Sequence, residues 1–243
     1  MKNKIVDVKN VSSAMALLEN LLTRSQIVPG MGLIHGESGF GKTTALQYLF
    51  NQDTTNGVYV RCCANDTPTS ILNRIAKECG LTPAGRAYQT LDDIIECIRR
   101  NEFSLFVDET DYVVGSKKIM ESFRDIYDNT EQPVVLVGME EIARRISHRK
   151  QLHNRISEWV EFKPADLQDV ATFAYELMEI DEGIELHDEV LDHIRVKSRG
   201  VVRTILSSLS KIERSVNGNP PPDGIITMDD ISGLDLFMTI SRS

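Results

Sequence analysis

"GESGFGKTT", residues 36–44, has the spacing Gly-x-x-x-x-Gly-Lys-Thr that is typical of a phosphate-binding loop. The apolar run MGLIHG (31–36) precedes it and predicts a buried strand. The segment KTTALQYLF (42–50) continues from it and predicts a helix. Because a strand, a glycine-rich turn and a helix in this order are the setting in which the motif binds phosphate, the stretch predicts a nucleotide site.

The residues of this loop have separate predicted roles in binding ATP and Mg²⁺. Glycines let successive backbone N–H groups turn toward an anion, and the start of the following helix adds partial positive charge. Lys42 is predicted to reach the β- and γ-phosphates, and the Thr43 hydroxyl to bind Mg²⁺. The predicted nucleotide-binding residues here are Gly36, Glu37, Ser38, Gly39, Phe40, Gly41, Lys42, Thr43 and Thr44.

A second acidic element is expected to complete the site. The segment FSLFVDE (103–109) is an apolar strand that ends in two carboxylates. Asp108 is predicted to hold Mg²⁺ with Thr43, and Glu109 to orient or deprotonate the attacking water. A glutamate in this position favours hydrolysis by water, so a small-molecule phosphotransferase is disfavoured.

Composition and cysteine spacing favour a reduced, cytoplasmic protein. The chain has 243 residues, and 41% of them are hydrophobic, which is enough for a substantial core. No apolar run approaches the ~18 residues of a membrane span, and the first residues lack the pattern of a signal peptide. The four cysteines are not spaced as a metal site. We therefore expect no membrane contact and a location in the cytoplasm.

The charge is unevenly distributed along the chain. The net charge of -9 argues against a protein that coats nucleic acid through bulk positive charge. Residues 166–192 carry ten carboxylates and no Lys or Arg, whereas RRISHRK (144–150) is strongly basic. A local basic surface therefore remains compatible with the acidic total.

Strands and helices alternate up to residue 164 and only helices are predicted afterwards. This pattern predicts an α/β fold whose five-stranded parallel sheet has helices on both faces, followed by a small all-helical lid. The predicted domains are an N-terminal linker and helix (1–31), a core with the phosphate loop (32–164) and the lid (165–243). Further strands are predicted at 57–64, 103–109, 133–138 and 158–162, and lid helices at 166–178, 186–198, 201–215 and 227–238.

The glycine loop, LFVDE (105–109), the helical segment after the fifth strand and GVVR (200–203) together resemble an AAA+ ATPase. The resemblance implies that Arg155 projects into a neighbouring subunit's site and that Arg203, at the start of a lid helix, contacts the nucleotide. The fourth strand departs from the family pattern. Met139 stands there where many relatives have Asn, Ser or Thr as a sensor of the γ-phosphate.

Within that family the closer resemblance is to ATPases of DNA transposition, of the Mu B and TnsC type. The segments that carry it are VVLVGMEEIARRI (134–146) and NRISEWVEFKPADLQD (154–169). The resemblance implies an ATP-dependent homo-oligomer, a ring or helical filament, that binds double-stranded DNA through its backbone with little sequence preference. It would deliver target DNA to a transposase or activate that enzyme. Lys117 and Lys118 are the predicted DNA contacts, and residues 65–70, after the second strand, are the alternative set. The resemblance also implies a protein of bacterial or phage origin in a bacterial cell.

Two other functions remain open at this point. One is an AAA+ relative with a different cargo, of the origin-recognition or clamp-loader type. The other is a signalling NTPase that binds nucleotide and a protein partner but no DNA, which the acidic lid favours. The basic stretch 144–150 is expected to line a subunit interface beside the neighbour's phosphates. The N-terminal helix (12–22) is expected to pack near the adenine.

Overall fold

Five short strands form one parallel sheet, which confirms the predicted fold class. The computed structural model describes residues 1–52, 55–181, 183–218 and 220–237. The strands are β1 (Met31–His35), β2 (Gly57–Arg61), β3 (Ser104–Asp108), β4 (Val134–Gly138) and β5 (Ile156–Glu161). Their order is β2-β3-β4-β1-β5, so β1 lies between β4 and β5 rather than beside β2.

Burial follows position in the sheet. Every residue of β3 and β4 is buried, as expected for apolar strands with a neighbour on each side. The edge strand β2 alternates between buried and partly exposed residues. It ends at Arg61, whose sheet partner is Asp108, the last residue of β3. The predicted extension of β2 to residue 64 is therefore wrong, because no strand is left beside it to pair with.

Among the described residues up to the end of β5, seven α-helices and one 3-10 helix precede or connect the strands. Helix α3 has the Thr67–Ser70 capping box and a proline in its first turn, which explains its sharp start. The short 3-10 helix covers Thr110–Tyr112, directly after the acidic pair. The helices are α1 (Lys9–Thr23), α2 (Lys42–Phe50), α3 (Pro68–Glu78), α4 (Ala87–Asn101), α5 (Lys117–Thr130), α6 (Ile142–Ser147) and α7 (Lys150–His153).

The chain divides into two compact units. The sheet unit comprises Ser12–Glu37 and Lys42–Phe162, and the helical unit comprises Met1–Val11, Ser38–Gly41 and Lys163–Ser243. Each has its own buried apolar cluster. The domain boundaries at residues 31 and 164 stay a prediction.

The helical unit contains the predicted lid helices. They are α8 (Leu167–Leu177), α9 (Asp188–Ser198), α10 (Val202–Gly218) and α11 (Met228–Ile231). This unit also contains a parallel pair of two-residue strands, β6 (Glu185–Leu186) and β7 (Ile225–Ile226), so it is not entirely helical as predicted. The helix predicted over 227–238 stops at Ile231, and Met238 lies outside the described residues. Among the described residues, no helix is both long and apolar enough to cross a membrane.

The hydroxyl of Tyr127 on α5 accepts a hydrogen bond from the buried N–H of Gly30, just before β1, at 2.8 Å. We expect Tyr127→Phe to lower the free energy of unfolding by about 1–2 kcal/mol, because the Gly30 N–H then has no acceptor. Urea denaturation measures this change. Tyr112→Phe is the control, since Tyr112 is 57% exposed. Equal stability of the two variants would contradict the proposed role of this bond.

Candidate nucleotide site

The glycine loop between β1 and α2 adopts a backbone that its sequence makes possible. Gly39 and Gly41 have φ angles of +87° and +89°, a region that L-residues rarely enter. The Gly39 carbonyl accepts a hydrogen bond from the Val202 N–H at 3.0 Å. A Cβ at position 39 would lie 2.8 Å from the Val201 side chain. The loop backbone is therefore fixed against the start of α10 within the helical unit.

The Lys42 ammonium points back toward the loop. Its Nζ donates hydrogen bonds to the carbonyl oxygens of Gly36 at 2.6 Å and Glu37 at 2.8 Å. Burial lowers the pKa of Lys42 below its ordinary value, and the negative charge of Asp111 and Glu109 partly opposes this shift. A half-buried cation that donates to two neutral carbonyls fits an anionic ligand in the loop.

Asp108 is the buried centre of the site. Its Oδ2 accepts hydrogen bonds from the Thr43 hydroxyl at 2.9 Å and the Tyr59 hydroxyl at 3.0 Å, and its Oδ1 accepts one from the Glu109 N–H at 2.8 Å. Burial first, and then the charge of Asp108, raise the pKa of Tyr59. A hydroxyl and a carboxylate in direct contact form the hard-oxygen donor set that suits Mg²⁺. The predicted Thr43–Asp108 pair is therefore brought together.

Glu109 has a backbone conformation that is uncommon for a residue with a side chain. Its φ and ψ are 54° and 38°, in the left-handed region, which costs of order 1 kcal/mol for a non-glycine residue. Such strain often accompanies a functional position. The Glu109 Oε1 lies 3.3 Å from Nη2 of Arg61 at the end of β2, and the charge of Glu109 is the main cause that raises the pKa of Arg61. Arg61 thus holds the predicted catalytic carboxylate at the edge of the site.

A second acidic residue after β3 joins the ends of two strands. The Asp111 Oδ2 accepts a hydrogen bond from the N–H of Met139 at 2.6 Å, directly after β4. A Cβ at the preceding Gly138 would lie 2.5 Å from the same oxygen, so glycine leaves room for this close approach. The Met139 sulfur lies 3.9 Å from Lys42 Nζ. Met139, which occupies the position expected for a polar γ-phosphate sensor, is thus held through its backbone N–H.

Arg155 lies at the opposite end of the sheet from the glycine loop. It precedes β5, and its carbonyl accepts a hydrogen bond from the N–H of Met31, the first residue of β1. Four residue steps of about 3.3 Å separate Met31 from the end of that strand. The guanidinium pairs with Asp128 of α5, with Nε–Oδ1 at 2.7 Å and Nη2–Oδ2 at 3.3 Å. Arg155 therefore lies far from the loop of its own chain.

Of the remaining predicted site residues, Phe40 is buried, whereas Glu37, Ser38, Thr44, Lys117, Lys118 and Arg203 are exposed. Thr44 is in the first turn of α2, and Lys117 and Lys118 are the first two residues of α5. Arg203 is the second residue of α10 and directly follows Val202, whose N–H bonds to the glycine loop. Its predicted contact with nucleotide stays a prediction, as do the roles of the other site residues.

Sequence reasoning missed Tyr59, Arg61 and Asp111. Tyr59 and Arg61 are two residues apart on β2, and strands point alternate residues to one face. The sequence contains this spacing but does not show that β2 lies beside β3. Asp111 was visible as a further carboxylate in DETD (108–111), yet only the structure shows that it reaches across to β4.

Comparisons with known proteins agree with this fold. Residues 27–146 match the model of a family described as AAA domain, AAA_22. The chain is 26% identical over 155 residues to the Mu-like prophage FluMu DNA transposition protein B of Haemophilus influenzae. That match covers 60% of this chain and 53% of the relative, so the chain spans about half the length of that protein. The resemblance to AAA+ ATPases of transposition is thereby confirmed.

Solved structures show the same fold at low sequence identity. The Aeropyrum pernix ORC2 protein, in its ADPNP-ADP complexes, has a TM-score of 0.68 and 14% identity, with 95% of this chain and 68% of that chain covered. The Aeropyrum pernix ORC1 protein in complex with DNA has a TM-score of 0.64 and 16% identity, covering 95% and 65%. Domain III of the Thermotoga maritima replication initiation protein DnaA scores 0.57 at 19% identity, covering 95% and 92%. At these identities the likeness shows the fold of this chain.

The Asp111–Met139 bond predicts a pair of variants with different effects. Asp111→Ala removes the acceptor and should lower the rate of nucleotide hydrolysis about tenfold or more, the effect of losing a hydrogen bond to a charged group. Asp111→Asn keeps a carbonyl oxygen as acceptor and should retain most of the rate. Steady-state hydrolysis and nucleotide affinity of both variants test this. If Asp111→Asn is as impaired as Asp111→Ala, the charge of Asp111 matters rather than the bond.

Proposed function

We propose that the chain is an ATP-dependent, DNA-binding ATPase that oligomerises on double-stranded DNA and delivers target DNA to a transposase, or activates that enzyme. The observation that carries the proposal is the cluster of Lys42, Thr43, Asp108 and Glu109 at the carboxyl ends of the strands. It supplies the groups that phosphate hydrolysis needs. The similarity to a transposition protein B supports the DNA-directed role.

The residues of the site have distinct parts in the proposed reaction. Lys42 binds the β- and γ-phosphates and neutralises charge on them. Thr43 and Asp108 would hold Mg²⁺, which supplies further positive charge at the phosphates when bound. Glu109 accepts a proton from the attacking water or orients it. Its bond to Arg61 sets where that carboxylate lies.

We propose that hydrolysis needs a neighbouring subunit. Arg155 lies at the opposite end of the strands from the glycine loop of its own chain, so a phosphate within its reach would belong to another chain. An arginine supplied in trans stabilises transition-state charge and is worth about 10³-fold or more in rate. Head-to-tail contacts of this kind generate rings or helical filaments. The isolated chain is then a poor ATPase.

The alternative with a specific observation in its favour is a nucleotide switch that binds a protein partner. Residues 166–192 are strongly acidic, and the net charge of -9 opposes non-specific contact with DNA. An origin-recognition or clamp-loader role has only the shared fold in its support.

Duplex binding in different nucleotide states separates these functions. Fluorescence anisotropy of a labelled random duplex is measured with ATP, with ADP and without nucleotide, at two salt concentrations. We expect cooperative binding with ATP only, weakened by salt as phosphate contacts require. Lys42→Ala should abolish the ATP effect because it removes the phosphate contact. If the wild-type chain binds no duplex in any state, the protein-directed switch becomes the better function.

Mixed assemblies test the trans arginine. Glu109→Gln should bind ATP and hydrolyse it slowly, and Arg155→Ala should bind ATP as a monomer but lose hydrolysis. Mixing them should restore part of the activity, because an Arg155→Ala subunit keeps Glu109 and receives an intact arginine from its neighbour. Arg99→Ala, which removes an exposed arginine of α4 paired with Glu96, is the control and should keep its full rate. No recovery on mixing would contradict the shared site.

A further inference from the structure

Two segments that lie about 30 residues apart in the sequence meet in the sheet unit, and each of them contains basic residues. The first follows β3 and ends in Lys117 and Lys118, and the second follows β4 and is the basic run 144–150. The side chain of Arg149 joins them. Its Nη2 donates hydrogen bonds to the carbonyl oxygens of Val114 at 2.6 Å and Gly115 at 3.2 Å.

An open pocket of about 410 Å³ lies at this junction. We call it the basic pocket, and its lining residues are Val114, Gly115, Arg145, His148 and Arg149. Two arginines and a histidine line it, and no acidic residue does. Arg145 and His148 are exposed, and neither side chain has a hydrogen bond or ion pair within the part of the chain that the structure describes. The nearby Arg144 instead pairs with Glu141 at 3.3 Å.

The charge around the pocket selects the kind of ligand. A chain of net charge -9 repels a polyanion over most of its surface, so a local set of cations must provide any attraction. The wall of the pocket is mostly apolar, so the exposed ends of the Arg145 and His148 side chains would donate the hydrogen bonds to phosphate oxygens. Arg149 is bonded to the carbonyl oxygens of the opposite segment. Lys117 and Lys118 follow Gly115 by two and three residues and extend the basic surface beyond the pocket. No Phe, Tyr or Trp lines the pocket to stack on a base.

We infer that the basic pocket binds a phosphodiester of the DNA backbone, with Arg145 and His148 as contacts and Arg149 as the residue that positions them. The inference rests on the proposed function and specifies the surface that carries it out. Lys117 and Lys118 are not among the lining residues of the pocket, and their predicted contact with DNA stays a prediction. Backbone recognition without base contacts gives binding with little sequence preference.

The pocket is also connected to the nucleotide site. Its two walls are the segments that follow β3 and β4, and the Asp111–Met139 bond joins the same segments next to Lys42. A phosphate that repositions Lys42 or Met139 would therefore act on both walls. This connection gives a route by which ATP controls binding of DNA at the pocket.

The test compares two neighbouring arginines that differ in one respect. Arg145→Ala removes a cation that lines the pocket, whereas Arg144→Ala removes an exposed cation that is paired with Glu141 outside it. Duplex affinity is measured by anisotropy with ATP over a range of salt concentrations. Arg145→Ala should weaken binding about tenfold and reduce the slope of log affinity against log salt by roughly one, and Arg144→Ala should leave both unchanged. Arg145→Ala should keep the nucleotide affinity of the wild type.

Each other result has a distinct meaning. Equal effects of Arg144→Ala and Arg145→Ala would overturn the pocket while leaving the proposed function intact. Unchanged duplex binding by Arg145→Ala with reduced ATP hydrolysis would assign the pocket to a neighbour's nucleotide instead, and would also overturn the inference. Absence of duplex binding by the wild-type chain in every nucleotide state would remove the proposed function and the pocket together.

Discussion

The hydrogen bond from the Thr43 hydroxyl to the Asp108 carboxylate connects the two halves of the candidate site. It joins the first turn of α2 to the end of β3, although β1, the strand that leads into α2, is not beside β3 in the sheet. Asp108 is 2% exposed, and burying a carboxylate is costly unless it accepts hydrogen bonds, as it does here from Thr43, Tyr59 and Glu109. The positions of Glu109 and Asp111 follow from it, since both come directly after the same strand. Strand order and site geometry therefore depend on one another.

Much of this arrangement could be predicted from the sequence. Apolar runs located the five strands, and glycine spacing together with the DE pair located Lys42, Thr43, Asp108 and Glu109. The pairings of Arg61 and Asp111 could not be predicted, because they depend on which strands are neighbours and the sequence does not state the order. The two-residue strands β6 and β7 are too short to show any alternation. The basic pocket could not be predicted for the same reason as the pairing of Arg61, because its lining residues come from two separate segments of the sequence.

The acidic composition becomes compatible with DNA binding once the charges are placed. The ten carboxylates of residues 166–192 belong to the helical unit, and the basic pocket belongs to the sheet unit. Arg155 lies at the opposite end of the strands from the glycine loop and forms an ion pair with Asp128. In our account the sheet unit therefore separates three tasks. Nucleotide binds at the carboxyl ends of the strands, DNA contacts the surface beside that site, and an arginine at the opposite end of the strands is supplied to a neighbour.

The central claim is that nucleotide and DNA binding are coupled, and coupling between two ligands is reciprocal at equilibrium. The most direct test is the affinity of the Glu109→Gln chain for a labelled ATP, measured with and without saturating duplex DNA. Slow hydrolysis in this variant keeps the measurement at equilibrium. The account predicts that DNA tightens ATP binding by the same factor by which ATP tightens DNA binding. An ATP affinity that DNA leaves unchanged would contradict it.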